Sequence, residues 1–295
     1  MAKKPPRLEL LAKIDLPVLE ASGVAVHRDD AGVRVLAIGD RTSHIVVGEY
    51  EGGDDIVDWR ALDLSGLPGW PLPVNDSQLE AIAVDGGSLV ALMREDPPVV
   101  LVADTVEREL RSVITLLAPD DSELAGRWDD PSSRGEGLVL LRGGRLLVAK
   151  EKRPRALIEF APASQRSLGL SRHDFLGPGE QWQAPVGEVE FVATAMWKLR
   201  GDAKNALGDI SALAVGSDRS LWLLSDKSRC VAHLSLDAPL PPFGGAIREL
   251  DEVWRLPKGT KKPEGIAALD NQRILVAMDT DLTRSNGLIV KRPES

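Results

Sequence analysis

A chain of 295 residues with 43% apolar side chains can bury a sizeable core, and its length is ordinary for one closed all-β domain. A formal charge of −9, with 36 Lys and Arg mixed among 45 Asp and Glu, argues against a nucleic-acid partner, which would need clustered basic residues. One cysteine, Cys230, excludes an internal disulfide and reads as a small core residue.

The chain opens on a basic stretch, 1–7, then an apolar run, 8–16, interrupted by Glu9, Lys13 and Asp15. No secretory leader and no run long enough to span a membrane is legible, so the expected location is the cytoplasm. From Ser22 onward one phrase recurs five times: a polar residue, a small residue, two or three apolar residues, a turn, and a second apolar run ending in charge. Its copies are Ser22-Gly-Val-Ala-Val, Glu80-Ala-Ile-Ala-Val, Glu136-Gly-Leu-Val-Leu, Ser211-Ala-Leu-Ala-Val and Glu264-Gly-Ile-Ala-Ala. Second runs follow at 33–38, 88–92, 145–149, 220–224 and 273–277 across turns rich in Asp, Gly and Asn, which read as hairpins. Third runs lie at 44–47, 99–103, 156–160, 230–236 and 287–290. Fourth runs at 57–62, 111–116, 192–199 and 253–256 complete the first four copies.

The fifth copy lacks a fourth run, and 8–16 matches the missing strand. These patterns predict an all-β fold, a five-bladed β-propeller whose last blade is closed by the N-terminal strand, as one domain over 1–295. Residues 161–191 read as a loop insertion in blade three. A degenerate sixth blade hidden there is the alternative.

In such a ring the start of each innermost strand neighbours the end of the second strand. The inner ring is Ser22, Glu80, Glu136, Ser211 and Glu264. The outer ring is Asp40, Arg94, Glu151, Asp226 and Asp279. Three axial carboxylates repel one another. A shared proton, a cation among them, or bonds from each Glu to the next blade's backbone would each relieve this. Oxygen-only donors at Glu80, Glu136 and Glu264 suit Ca2+ or Mg2+, and no His joins the rings to suit zinc. No organic cofactor is implied. Loops feeding the same face carry Trp70, Trp128, Arg134, Lys152, Lys204, Lys258, Lys261 and Lys262, types that bind a small polar or anionic ligand. Trp59, Trp197 and Trp254 recur on fourth strands and read as packing between blades.

No P-loop, G-x-S-x-G or H-E-x-x-H motif is present. His173-Asp174 in the insertion is the one acid–base candidate among the histidines.

The phrases Gly135-Glu-Gly-Leu, Ala149-Lys-Glu-Lys-Arg-Pro-Arg, Asp209-Ile-Ser-Ala-Leu, Leu224-Ser-Asp-Lys-Ser-Arg and Pro263-Glu-Gly-Ile-Ala resemble the SdiA-regulated β-propeller family of bacteria. E-G-I-A strands also recur in esterase-like phytase and gluconolactonase-type propellers. The resemblance runs from Glu80 onward and implies a propeller with calcium binding, and no settled reaction. Ser22 and Arg94 depart from its acidic pattern.

Three functions fit. The first is a binding module whose axial face holds a cation and a small polar or anionic ligand. The second is a metal-assisted hydrolase of a phosphoester or lactone, with Glu136 or Glu151 as general base and Arg94 or Lys152 steadying negative charge. The third is a scaffold for a protein partner. Neither nucleic acid nor membrane is expected as a partner.

Overall fold

The structure is a computed structural model that describes residues 4–74, 76–120, 122, 124–126, 128, 130, 135–281 and 284–293. It is all-β, with 49% strand and 3% helix. The strands are β1 (Glu9–Ile14), β2 (Ala21–Asp29), β3 (Gly32–Gly39), β4 (His44–Tyr50), β5 (Val57–Asp63), β6 (Leu79–Val84), β7 (Leu89–Arg94), β8 (Val99–Asp104), β9 (Glu109–Leu117), β10 (Gly135–Leu141), β11 (Arg145–Lys150), β12 (Ala156–Pro162), β13 (Gly187–Leu199), β14 (Ala212–Val215), β15 (Leu221–Ser225), β16 (Cys230–Leu234), β17 (Ala246–Ile247), β18 (Glu252–Arg255), β19 (Pro263–Ala268), β20 (Arg273–Met278) and β21 (Gly287–Lys291). The short helix α1 (Gly201–Ala206) precedes β14.

Each copy of the repeated phrase folds into an antiparallel meander. The orders are β2-β3-β4-β5, β6-β7-β8-β9, β10-β11-β12-β13 and β14-β15-β16-β18. The fifth, β19-β20-β21, is completed by β1, which pairs antiparallel with β21 through Glu9↔Lys291 to Ile14↔Gly287. The chain's start therefore fills the edge that its end leaves open. The first strands of the meanders touch in the cyclic order β2, β6, β10, β14, β19 and back to β2.

The small residue of the phrase is explained at these contacts. A Cβ on Gly137 would stand 2.8 Å from the Leu213 backbone nitrogen, and one on Gly265 would stand 3.2 Å from that of Val24. Neighbouring inner strands approach too closely there for a side chain. Apolar layers then fill the wedges between meanders, as where Trp128 packs on Phe160 at 5.0 Å between the second and third. Trp197 and Trp254 are buried in such layers, Trp59 packs partly buried against another, and Cys230 is buried with them.

The third meander differs from the sequence reading. Ala161 and Pro162 belong to β12, and β13 begins at Gly187. The insertion is thus 163–186, and it contains no strand element. The first half of β13 pairs parallel with β9, from Gly187↔Ser112 to Val192↔Leu117, before the second half pairs with β12. β17 adds to the other end of β13. This half alternates polar and apolar residues over Glu188-Val-Glu-Phe, as a strand does, but nothing in the alternation specifies a parallel partner in another meander.

The insertion lies across the hairpin-turn end of the barrel-like core. Arg142 holds Glu180 with two bonds of 2.6 Å. Arg145 joins the fully buried Glu159 at 2.9 Å and Asp174 at 2.6 Å. The Gly86 N–H donates to Glu180 O at 2.8 Å, and a Cβ there would strike the Gly179 backbone at 2.2 Å. Asp85 accepts the Trp182 N–H at 3.0 Å.

Gly137→Val is expected to cost about 1–3 kcal/mol in urea unfolding by overpacking the axis. Arg145→Met is expected to cost about 3–5 kcal/mol, because it leaves the buried Glu159 carboxylate without its cation and with only the Ser167 and Thr194 hydroxyls as partners. Unchanged midpoints would refute either packing account.

Candidate functional site

The inner-ring side chains are set by backbone irregularity. Ser22, Glu80, Glu136 and Glu264 each sit where the register shifts, between Ala21/Gly23, Leu79/Ala81, Gly135/Gly137 and Pro263/Gly265. A bulge of this kind leaves one residue out of the ladder and re-aims its side chain. All four line one small axial cavity of about 10 Å³. Ser211 precedes β14 and is not among the lining residues; its hydroxyl donates to Pro263 O at 3.1 Å. Ser22 donates likewise to Leu79 O. The two serines therefore tie one meander to the next, the role considered for the glutamates. Among the described residues, no hydrogen bond holds the Glu80, Glu136 or Glu264 carboxyl.

Burial pushes these carboxyls far up: Glu264 to about 8, Glu80 to about 9 and Glu136 to about 10. Repulsion adds to burial. Glu80 faces Asp40, Glu264, Glu95 and Asp279, while Glu136 faces Glu151, Glu80, Glu264 and Glu95. At neutral pH the ring is made of neutral acids that can donate as well as accept.

The outer-ring positions follow the second strands onto the same face. Burial, with Asp279 and Glu20 nearby, raises Asp40 to about 6, opposed by the Ser22 hydroxyl and Lys262. Burial and Asp209 raise Asp226. Asp279 is paired with Lys262, and Glu151 with Lys152. Burial alone would lower Lys152, but its bond to Glu151 and the fields of Glu136 and Glu95 raise it. Arg94 bonds neither Glu80 nor Glu151; its Nη2 donates to Gln78 Oε1 at 3.1 Å. Buried and without partners are Asp40 Oδ1 and Arg94 Nε, with Thr42 Oγ1 and Trp70 Nε1 on loops of this face.

Other expected residues lie elsewhere. Trp128 is 2% exposed, packed in the core with its indole N–H on Leu116 O at 3.1 Å, so it does not line the mouth. Lys204, Lys258 and Lys261 are exposed. Arg134 and residues 1–3 lie outside the described residues. His173 is exposed on the insertion at the far end of β10 from Glu136, and its neighbour Asp174 is bound to Arg145 and Ser171. That pair is not built as an acid–base couple. Glu20, Gln78 and Glu95 join the site without having been singled out; Glu95 follows a ring residue directly in sequence, which was the available signal.

The oxygen-only donor set has the chemistry of a hard-cation site. The spacing does not complete one: among the described residues, no three His, Cys, Asp or Glu side chains gather closely enough to hold an ion. No described helix is long and apolar enough to cross a membrane.

No family model and no curated protein matches the chain. Among solved structures, a glutaminyl cyclase from Myxococcus xanthus is 12% identical, with 98% of each chain covered and a TM-score of 0.52. Regucalcin from Agrobacterium tumefaciens, described as a calcium-binding protein, is 12% identical over 97% of this chain and 94% of its own, with a TM-score of 0.47. The Cps50 (Swd1) β-propeller domain of Myceliophteria thermophila is 9% identical over 97% and 100%, with a TM-score of 0.45. The structural neighbours are β-propellers, and the likeness bears on the fold alone.

The raised carboxyls carry a signed consequence for stability. Each holds its proton more tightly folded than unfolded, so its contribution is complete below the unfolded value near 4.5 and is lost as pH rises through about 8 to 10. Thermal melts are expected to fall between pH 5 and pH 9. Glu136→Gln, which removes one such group, is expected to be more stable than the parent at pH 9 by at least about 1 kcal/mol. Parallel pH profiles for the two proteins would contradict the assignment.

Proposed function

We propose that the chain is a five-bladed β-propeller of the SdiA-regulated kind, acting as a binding module for a small polar, anionic ligand at its acidic axial mouth. The cyclic contact of β2, β6, β10, β14 and β19 supports the blade count. The observation that carries the binding reading is that Asp40 Oδ1, Arg94 Nε, Thr42 Oγ1 and Trp70 Nε1 are buried and unpartnered, while the three cavity-lining carboxyls have no hydrogen bond among the described residues. Buried polar groups without partners are uncommon and costly. A ligand that both donates and accepts would satisfy them. Neutral Glu80, Glu136 and Glu264 would donate to its oxygens, and Arg94, Lys152 and Lys262 would meet its negative charge. Ser22, Asp40, Asp226, Asp279 and Trp70 would border it.

A divalent cation, Ca2+ or Mg2+, is the second occupant to test, because every donor is a hard oxygen and Asp40 Oδ1 is open. The spacing of the carboxyls does not support it without rearrangement. A hydrolase reading meets a further constraint. With its pKa pushed to about 10, Glu136 enters as a neutral acid rather than as the base first considered.

Thermal-shift measurements at pH 7 would use Ca2+, Mg2+, sugar phosphates, dicarboxylates and polyols. A ligand present at a hundred times its Kd is expected to add about 2.7 kcal/mol of stability, and Arg94→Ala and Glu80→Gln are expected to abolish that gain. A panel that leaves the melting temperature unmoved would overturn the proposal.

A further inference from the structure

The axis holds two compartments, and the proposal above uses only one. The acidic cavity ends at Val24, Ile82, Leu138, Leu213 and Ile266, one residue from each inner strand, which also border a second and larger cavity of about 130 Å³. These five make an apolar girdle. Beyond it the channel widens toward the hairpin-turn face. Small-molecule sites are concave, mostly apolar and carry few polar groups.

The walls fit that description. Val26, Val84 and Val215 line this cavity and are only partly buried although they belong to innermost strands. Their exposure is to the channel. The lip is formed by Leu176–Gly179 of the insertion, which the Arg142–Glu180 pair and the Gly86 backbone hold in place.

Two charged side chains line the cavity, Arg28 and Asp85. Asp85 is committed to the protein. Its carboxylate accepts the backbone N–H groups of Gly87 at 2.8 Å, Leu89 at 3.0 Å and Trp182 at 3.0 Å. Arg28 is only half committed. Its Nη2 donates to Ala268 O and Leu269 O at 2.7 and 2.6 Å, while Nε and Nη1 have no partner among the described residues. Asp270 acts on the guanidinium through its field, but its Oδ1 accepts the Gln272 and Arg273 N–H groups at 2.7 Å each. The polar capacity left at this mouth is thus a pair of cationic donors at the end of an apolar tube.

We propose that this compartment is a second binding site, for an amphipathic carboxylate whose head meets Arg28 and whose apolar chain runs toward the girdle. Arg28 lies four residue steps along β2 from Val24, so the tube is about 13 Å deep at roughly 3.3 Å per residue. The site is independent of the acidic mouth, and the girdle separates the two.

Calorimetric titration with straight-chain carboxylates from butyrate to dodecanoate, and with decanol, tests it. Affinity is expected to rise about fourfold per added methylene, the equivalent of about 0.8 kcal/mol each, and to level off once the chain exceeds the depth of the tube. Decanoate is expected to bind at least about tenfold tighter than decanol, the worth of a charge-assisted bond. Arg28→Gln is expected to erase that preference while leaving decanol binding unchanged. Val84→Phe, which fills the tube from a partly buried position, is expected to abolish both, and Val26→Phe serves should that variant melt abnormally. Absence of saturable decanoate binding, or decanoate binding that survives both filled variants, would overturn the proposal. Glu80→Gln should leave every one of these titrations unaltered, so failure at the acidic mouth and failure here are read separately.

Discussion

The structure depends on how closely extended strands can be brought to one axis. A strand carries side chains on alternate faces, and the inner strands of a ring must pack against neighbours on both sides. The contact at Gly137 and Leu213, where even a Cβ would come within 2.8 Å of backbone, shows the limit. The chain meets it with a small residue next to a bulge. The bulge takes one residue out of the ladder, and that residue has nowhere to turn but the cavity. Close approach and the polar ring are therefore one device: the backbone that lets the strands meet also delivers Ser22, Glu80, Glu136 and Glu264 to the axis.

This device was legible in sequence because it is local and repeated. Polar, small, apolar, apolar is a pattern within five residues, and its copies place the ring without any knowledge of contacts. The N-terminal strand was legible for the same reason, since 8–16 carries the fourth-strand pattern that the last copy lacks. What escaped is long-range. Nothing near Gly187 announces that it will pair with Ser112. Nor does Trp128 differ, as a letter, from a tryptophan at a mouth; its burial depends on Phe160 and on the carbonyl of Leu116. Arg94 meets Gln78, a neutral residue with no reason to stand out in the sequence.

The insertion shows how the ring tolerates a long loop. The cost of closing a loop grows only slowly with its length. Here Arg142 and Arg145, at the two ends of one tight turn, hold Glu180 and Asp174. The acids of the insertion meet bases that the turn already presents. Arg145 also answers Glu159, which has no exposed surface and would be destabilising if left alone. One guanidinium thereby serves the interior of the meander and the seating of the loop.

The girdle gives the acidic ring its electrostatic character. A carboxyl at the rim of a water-filled pore would ionise near its ordinary value. Glu80 and Glu136 instead have apolar residues beneath them at Ile82 and Leu138, and other carboxyls around them. Among the described residues, no hydrogen-bond donor compensates them. Desolvation disfavours the charged form, and each neighbour that ionises makes the next harder to ionise. The outer positions relax this in part, because Lys152 and Lys262 reach the rim and are already paired there. A ligand arriving at this mouth thus meets neutral donors in the centre and paired charges at the edge. An anion gains hydrogen bonds without first displacing a negative charge, whereas a cation must first drive off protons that the site holds to about pH 8 or above. That asymmetry underlies the proposal that this mouth takes an oxygen-rich anion, although its oxygen-only donors are of the type that suits calcium.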